Sequence, residues 1–493
     1  MNLLAQLYRH SLALLTDLYQ LTMAYAYWKN GLADREAVFH LTFRQNPFGG
    51  GCAVACGLGY VVDFLRELRF AEDDLSYLAT LTNVDGRPLF EAEFLGYLRG
   101  LTFQCDVDAI VEGTVVFAGE PLVRVRGPLL QGQIIETPLL NLVNFQTLIA
   151  TKAARICRAA AGRPVLEFGL RRAQGIDGGL AASRAAYIGG CAATSNVLAG
   201  KLFGIPVKGT HAHSWVMAFE DERRAFQAYA SALPGNCIFL VDTYDSLTGV
   251  RNAVAVAEQL RRGGHQLLGI RLDSGDFVAL SRQSRQLLDD AGFQAAAIVV
   301  SGDLDEYRIE QLLRDGACAD VWGVGTRLVT GHDQPALGGV YKLAALRDSA
   351  GQWSYKLKLS EQAIKQSEPG ILQVRRLRSA AGQFVADVIY DEPAGLPDRP
   401  ILVLPGGGEG QAAPEYSDQA DLLVPVFRGG RAVDEPPSAA QARDRAAEQF
   451  ASFDRRILQL QNPESYLVGL EKGLHTLKGG LVTAARRGSA AGR

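Results

Sequence analysis

Between residues 165 and 326 the chain repeats one pattern: a short apolar run, a polar turn, then a segment with apolar residues at helical spacing. Strand candidates are Val165-Leu166-Glu167-Phe168, Ala192-Ala193-Thr194, Ile205-Pro206-Val207-Lys208, Ile238-Phe239-Leu240-Val241, Leu267-Leu268-Gly269-Ile270, Ala297-Ile298-Val299-Val300 and Val321-Trp322-Gly323. The periodicity predicts a long helix over 137–162 and further helices over 179–188, 215–231, 250–262, 277–291 and 304–314. Repeated βα units of this length imply a parallel sheet, because parallel neighbours need a crossover segment. Polar residues follow nearly every strand: Arg171, Ser195, Thr210 with His213, Asp242, Arg271 with Asp273, Ser301 with Asp303, and Gly325 with Thr326. A doubly wound sheet gathers its ligand groups at one switch point, whereas a barrel uses every strand end. The distribution therefore predicts an α/β protein with an irregular, TIM-like (β/α) barrel over 137–345.

Residues 1–136 read as an N-terminal α+β domain: helix to about residue 30, a strand at Ala37–Phe43, helices over 58–100 and short strands over 103–135. Asn46-Pro47-Phe48-Gly49-Gly50-Gly51 lacks the spacing of a dinucleotide fingerprint and reads as a loop. Residues 346–475 are expected to form a C-terminal α+β region packing on the N-terminal domain, with a Pro/Gly-rich loop over 391–415 and helix over 440–475. Residues 476–493 are expected to be a disordered tail.

A formal charge of -3 gives no reason to expect nucleic-acid binding or an anionic membrane surface. No run of about 20 apolar residues suggests a membrane span, and Arg9, His10 and Asp17 spoil any signal peptide. Seven cysteines without a Cys-x-x-Cys pair suit reduced thiols in a cytoplasmic protein.

The densest chemistry lies in Val207-Lys208-Gly209-Thr210-His211-Ala212-His213-Ser214-Trp215. It reads as a strand end, a turn at Gly209 and a helix start that Thr210 could cap. A neutral imidazole serves as a nucleophile toward phosphorus or as a metal ligand. A chelating His211/His213 pair would need further ligands at other strand ends, and His10, His40, His265, His332 and His475 occupy none. Arg271-Leu272-Asp273-Ser274-Gly275-Asp276 could bind an anion together with sugar hydroxyls, hold magnesium, or form a local salt bridge. Ser301-Gly302-Asp303 and Gly323-Val324-Gly325-Thr326 are Gly turns whose N–H groups could cradle phosphate.

With these stretches in place, the chain resembles the nicotinate phosphoribosyltransferases. The resemblance is carried by Thr16-Asp17-Leu18-Tyr19-Gln20-Leu21-Thr22-Met23, Phe43 to Gly50, Glu167 to Gly175, Gly209 to Ser214, Val241 to Asp245, Arg271 to Asp276, Gly323 to Thr326 and Leu337 to Leu343. It implies transfer of a phosphoribosyl group from 5-phosphoribosyl 1-pyrophosphate to nicotinate on the salvage route to NAD. It also implies Mg2+, coupling to ATP hydrolysis through a phosphohistidine, and a homodimer with shared active sites. His213 matches the phosphorylated histidine, with Asp242 orienting it. Tyr19, Thr210 and Arg271 match nicotinate contacts, and Thr326 matches a phosphoribosyl pyrophosphate contact. By similarity to the nicotinamide enzyme, Phe168 would stack on the pyridine and Tyr19 would come from the partner subunit. Ser195 stands where that enzyme has an acid. Arg171, Asp273, Ser301, Gly302, Asp303 and Gly325 complete the expected phosphate and sugar contacts. Use of nicotinamide or quinolinate, a barrel metallohydrolase and a silent binding paralogue are the alternatives.

Overall fold

The computed structural model describes residues 11–359, 367–405 and 407–490. The first ten residues of the expected N-terminal helix and the last three of the expected tail lie outside these. The chain divides into two compact units. One comprises Met1–Thr147, Ala336–Pro437 and Glu448–Arg493; the other comprises Leu148–Pro335 and Ser438–Ala447.

The second unit contains the βα repeat. Its six-stranded sheet runs in the order Ala193–Thr194, Val165–Glu167, Val321–Val324, Ala297–Ser301, Gly269–Leu272, Ile238–Leu240. Every pairing is parallel. The first strand in sequence lies beside the last, as in a ring, but no closed barrel forms. The expected strand 205–208 contributes one parallel bridge, Thr194 to Val207, and no ladder to Ile238–Leu240 among the described residues. In that bridge the Pro206 carbonyl accepts the Thr194 N–H and the Lys208 N–H donates to the Thr194 carbonyl, each at 3.0 Å.

Each helix that follows a strand in the second half of this sheet starts on an aspartate. Asp245, Asp276 and Asp305 accept hydrogen bonds from the first-turn N–H groups of Ser246–Arg262, Phe277–Asp290 and Glu306–Arg314. Asp276, counted in sequence among the possible anion-site carboxylates, is thus occupied as a cap. The helix expected over 215–231 is broken into His213–Met217 and Glu222–Ala232, and Asp221 caps the second piece. Lys152, fully buried on the long helix Glu136–Ala159, pairs with Glu306 and Asp333 at 2.7 Å each. Arg155 joins Glu306 at 2.8 Å, so these charges are taken out of water as a mutually compensating set.

The first unit draws on both ends of the chain. Its seven-stranded antiparallel sheet runs Trp353–Tyr355, Gly339–Arg347, Glu36–Phe43, Pro121–Pro128, Asp106–Ile110, Leu423–Arg428, Arg431–Ala432. Gly339–Arg347, expected to begin within the barrel domain, is therefore a central strand here. Residues 129–134, expected within the run of short strands, are helical. A six-stranded sheet includes Ile401–Val403 and Val468–Glu471, which sequence had assigned to a loop and to a helix. Both strands sit within ladders whose apolar side chains Leu402, Val403 and Val468 are buried, so tertiary pairing overrides the local pattern. The expected disordered tail is instead the helix Lys472–Ala490. Leu474 and Leu477 seat its first turns on the apolar core, and Lys478 pairs with Glu368 at 2.6 Å.

Candidate active site

Arg271 leaves the strand Gly269–Leu272 and is the hub of the strand-end loops. Its Nε donates to Ser301 Oγ at 2.8 Å, Nη1 to Thr210 Oγ1 at 3.2 Å and Nη2 to Asp273 Oδ1 at 2.6 Å. A guanidinium has five N–H donors; two of Arg271's have no protein partner among the described residues. Its Cζ lies 5.6 Å from the centre of the Phe168 ring. Ser301 also donates to Asp273. Burial works against ionisation of Asp273, but the Ser301 hydroxyl and the Arg271 charge outweigh it and hold the carboxyl below its usual range.

The next loop is tied to this one through Asp242. Its Oδ2 accepts from the Asp273 N–H at 3.0 Å and the Ser274 hydroxyl at 2.7 Å, while its Oδ1 is buried without a partner. No hydrogen bond joins Asp242 to His213 among the described residues. Asp242 is spent on Asp273 and Ser274, and His213 Nδ1 meets Thr243 Oγ1 at 3.1 Å. Thr210 likewise does not cap a helix. The short helix His213–Met217 starts after Ala212, and the Thr210 hydroxyl receives Arg271 and donates to the His211 carbonyl.

His211 and His213 have different surroundings. His211 is buried, its Nε2 lies 3.3 Å from the Leu240 N–H, and burial pushes its pKa down to about 4, with repulsion from Arg271 and His213 adding to the shift. Its acceptor nitrogen is therefore turned into the protein. A metal-chelating pair is not what the fold builds, and no group of three ligating side chains occurs among the described residues.

Glu167, not singled out in sequence, organises the Phe168 and Ser195 turns. Its fully buried carboxylate accepts from the Gly169 N–H, from Ser183 at 2.9 Å and from Thr194 at 2.5 Å. Its backbone carbonyl accepts the Ser195 N–H at 2.9 Å. Two glycines of the expected phosphate turns are needed for clearance. A Cβ on Gly323 would meet the Phe168 ring at 2.8 Å, and one on Gly302, at φ +105°, would lie 2.2 Å from the Asp273 carbonyl oxygen. Gly325 abuts the Phe168 carbonyl, and Thr326 opens the short helix Thr326–Val329. Asp303 is exposed with a left-handed φ of 42°, and Arg171 is exposed in the turn Leu170–Arg172. Neither joins the Arg271 network. Tyr19 belongs to the first unit, on the helix Leu18–Lys29, and is 49% exposed. Thr243 and Glu167 were missed because their roles follow from which turns meet in space, and no local motif encodes that.

Three family models match in order: the nicotinate phosphoribosyltransferase N-terminal domain over residues 14–144, the family proper over 165–350 and the C-terminal domain over 372–478. A nicotinate phosphoribosyltransferase of Bacillus subtilis is 47% identical over 94% of this chain and 93% of its own length. The chain belongs to the nicotinate phosphoribosyltransferase family. The human family member is 37% identical over 94% of this chain and 95% of its own. The crystal structure of human nicotinic acid phosphoribosyltransferase superposes with a TM-score of 0.82, at 34% identity, covering 94% of this chain and 99% of that one. Among the described residues no helix is long and apolar enough to cross a membrane.

Proposed function

We propose that the protein transfers the phosphoribosyl group of 5-phosphoribosyl 1-pyrophosphate to the ring nitrogen of nicotinate, as its family name implies, on the salvage route to NAD. The nitrogen lone pair forms the new bond to the anomeric carbon with inversion, the carbon–oxygen bond breaks, and pyrophosphate leaves with that electron pair. The observation that carries this reading is Arg271: two unspent N–H donors beside a half-buried aromatic ring suit a flat heteroaromatic carboxylate. In this reading nicotinate stacks on Phe168, its carboxylate pairs with Arg271, the Ser195 hydroxyl donates to it, and the Thr210 hydroxyl does so by turning from the His211 carbonyl. The turns at Ser301–Asp303 and Gly325–Thr326, with Arg171 and Asp273, hold the ribose and phosphates.

ATP is a second substrate whose γ-phosphoryl group passes to a ring nitrogen of His213, giving ADP, and then to water, giving phosphate. Thr243 holds the other side of the ring through Nδ1, which leaves Nε2 as the nitrogen we assign to the phosphoryl group. Magnesium fits as an ion that arrives with the phosphates, since such ions use one or two carboxylates plus substrate oxygens. Asp242, with its buried unpartnered Oδ1, and Asp273 are the carboxylates suited to it; bound there, it would offset charge on the departing pyrophosphate.

We also infer a homodimer with shared sites. Val197, Leu198 and Leu202 are exposed apolar side chains on the short helix Val197–Phe203, a surface that a partner would cover. In that assembly Tyr19 of the partner subunit completes the nicotinate pocket. The test is formation of nicotinate mononucleotide from nicotinate and phosphoribosyl pyrophosphate. Product should form and should increase with ATP, and its absence would refute the transferase reading.

A further inference from the structure

We infer that His211 is a positioning residue: its ring replaces the missing backbone ladder between the Val207 segment and the strand Ile238–Leu240, and so sets Thr210 and His213 against Arg271 and Thr243. The kinetic part of this inference rests on the transferase reading. The geometric part does not.

Among the described residues the Val207 segment and the strand Ile238–Leu240 are the two edges of the open parallel sheet, with no ladder between them. Across that gap the His211 side chain reaches the edge strand, and its Nε2 accepts the Leu240 N–H at 3.3 Å. Its Nδ1 lies 3.4 Å from the Ala212 carbonyl oxygen, so Nδ1 carries the proton and Nε2 the lone pair. Both contacts are long, and the ring is held as much by packing. Phe226, Tyr229 and Phe239 surround it with ring centres 6.0, 5.2 and 6.3 Å away.

Two chain segments are joined by this one ring. Thr210, Ala212 and His213 flank His211 in sequence. The strand that His211 contacts runs on into Asp242 and Thr243, which hold Asp273 and His213. Rotation of the His211 ring would therefore loosen Thr210 from Arg271 and His213 from Thr243 together. The two histidines divide the work, with His211 static and inward and His213 half-exposed.

The test pairs two substitutions with one spectrum. His211→Leu fills the space but offers Leu240 no acceptor, whereas His211→Gln can place an amide oxygen where Nε2 stands. For nicotinate, kcat/KM should fall about 100-fold in His211→Leu, the scale of a misplaced reacting group. It should recover to within about 10-fold of wild type in His211→Gln, which restores an acceptor for the Leu240 N–H. Long-range 15N spectra of the wild type at neutral pH should show the His211 ring protonated at Nδ1 and accepting at Nε2. A His211→Leu enzyme as active as wild type, a His211→Gln enzyme as impaired as His211→Leu, or a ring protonated at Nε2 would each overturn the inference. If the wild type makes no nicotinate mononucleotide, the transferase reading fails by itself and the ring spectrum still decides the positioning claim. The spectrum decides it likewise if His211→Leu does not fold.

Discussion

Arg271 and Arg376 are built from the same parts, an arginine, a carboxylate and aromatic rings, and they do opposite things. Arg376, in the first unit, is 2% exposed and four of its five N–H donors are taken. Asp387 takes Nε and Nη2, the Val115 carbonyl takes Nη2 as well, and Gln449 takes Nη1. The rings of Phe384, Phe453 and Phe117 close around its Cζ at 4.9, 5.3 and 5.9 Å. Arg271, in the second unit, is partnered mostly by hydroxyls, has one ring near it and keeps two donors unspent. A buried guanidinium sealed by a carboxylate and three rings holds a core together, whereas the more open one at the ends of parallel strands has donors left for the anion proposed above.

The comparison breaks most visibly on deletion of each arginine. Arg376→Leu leaves Asp387 buried without its counter-charge and should cost about 3–5 kcal/mol of stability, measured by denaturant unfolding. Arg271→Ala should barely move the unfolding midpoint but should lower kcat/KM for nicotinate by roughly 2–4 kcal/mol, or 30-fold to 1,000-fold. If the two substitutions had similar effects on stability, the division into sealed and open clusters would be wrong.

A smaller effect concerns the choice of base. Ser195→Asp would place a carboxylate near the nicotinate carboxylate and should shift preference toward nicotinamide by about 2–3 kcal/mol. Steady-state kinetics with both bases would show this, and equal losses for the two would remove Ser195 from the account of specificity.

A pH-dependent effect lies again beside Arg376. Burial, with the neighbouring Asp387 charge adding to it, pushes the Glu120 carboxyl well above its usual range. The folded state therefore keeps a proton that the unfolded chain releases above pH about 4.3, so stability declines as the pH rises past that value. Glu120→Gln mimics the protonated acid and removes the decline. It should match wild type below pH about 4 and be the more stable at neutral pH, by a margin that grows with pH until the folded carboxyl ionises. Urea titrations at both ends of that range are the check, and a constant difference would contradict the raised ionisation of Glu120.

The periodicity of the second unit was legible in the residues because each βα repeat is local. Val165–Glu167, Ile238–Leu240 and Ala297–Ser301 fall where their apolar runs predict. Barrel closure was not legible, because it depends on whether the Val207 segment finds a partner far away in sequence. In the first unit, Val468–Glu471 read as helix because its pairing partners lie 67 to 81 residues away, at Ile401–Val403 and Phe384–Asp391. Within the site, Arg271, Thr210, Ser301 and Asp273 stood out by type and position after a strand. Which carboxylate meets which histidine did not, because Asp242 and Thr243 are adjacent and point to different partners.

In the proposed function the open cluster around Arg271 binds nicotinate. Calorimetric titration of nicotinate into the wild type and into Arg271→Ala, each with pyrophosphate and magnesium present, tests it most directly. Saturable binding to the wild type that is lost in a folded Arg271→Ala protein is the predicted result. Equal nicotinate affinity in the two proteins would contradict it.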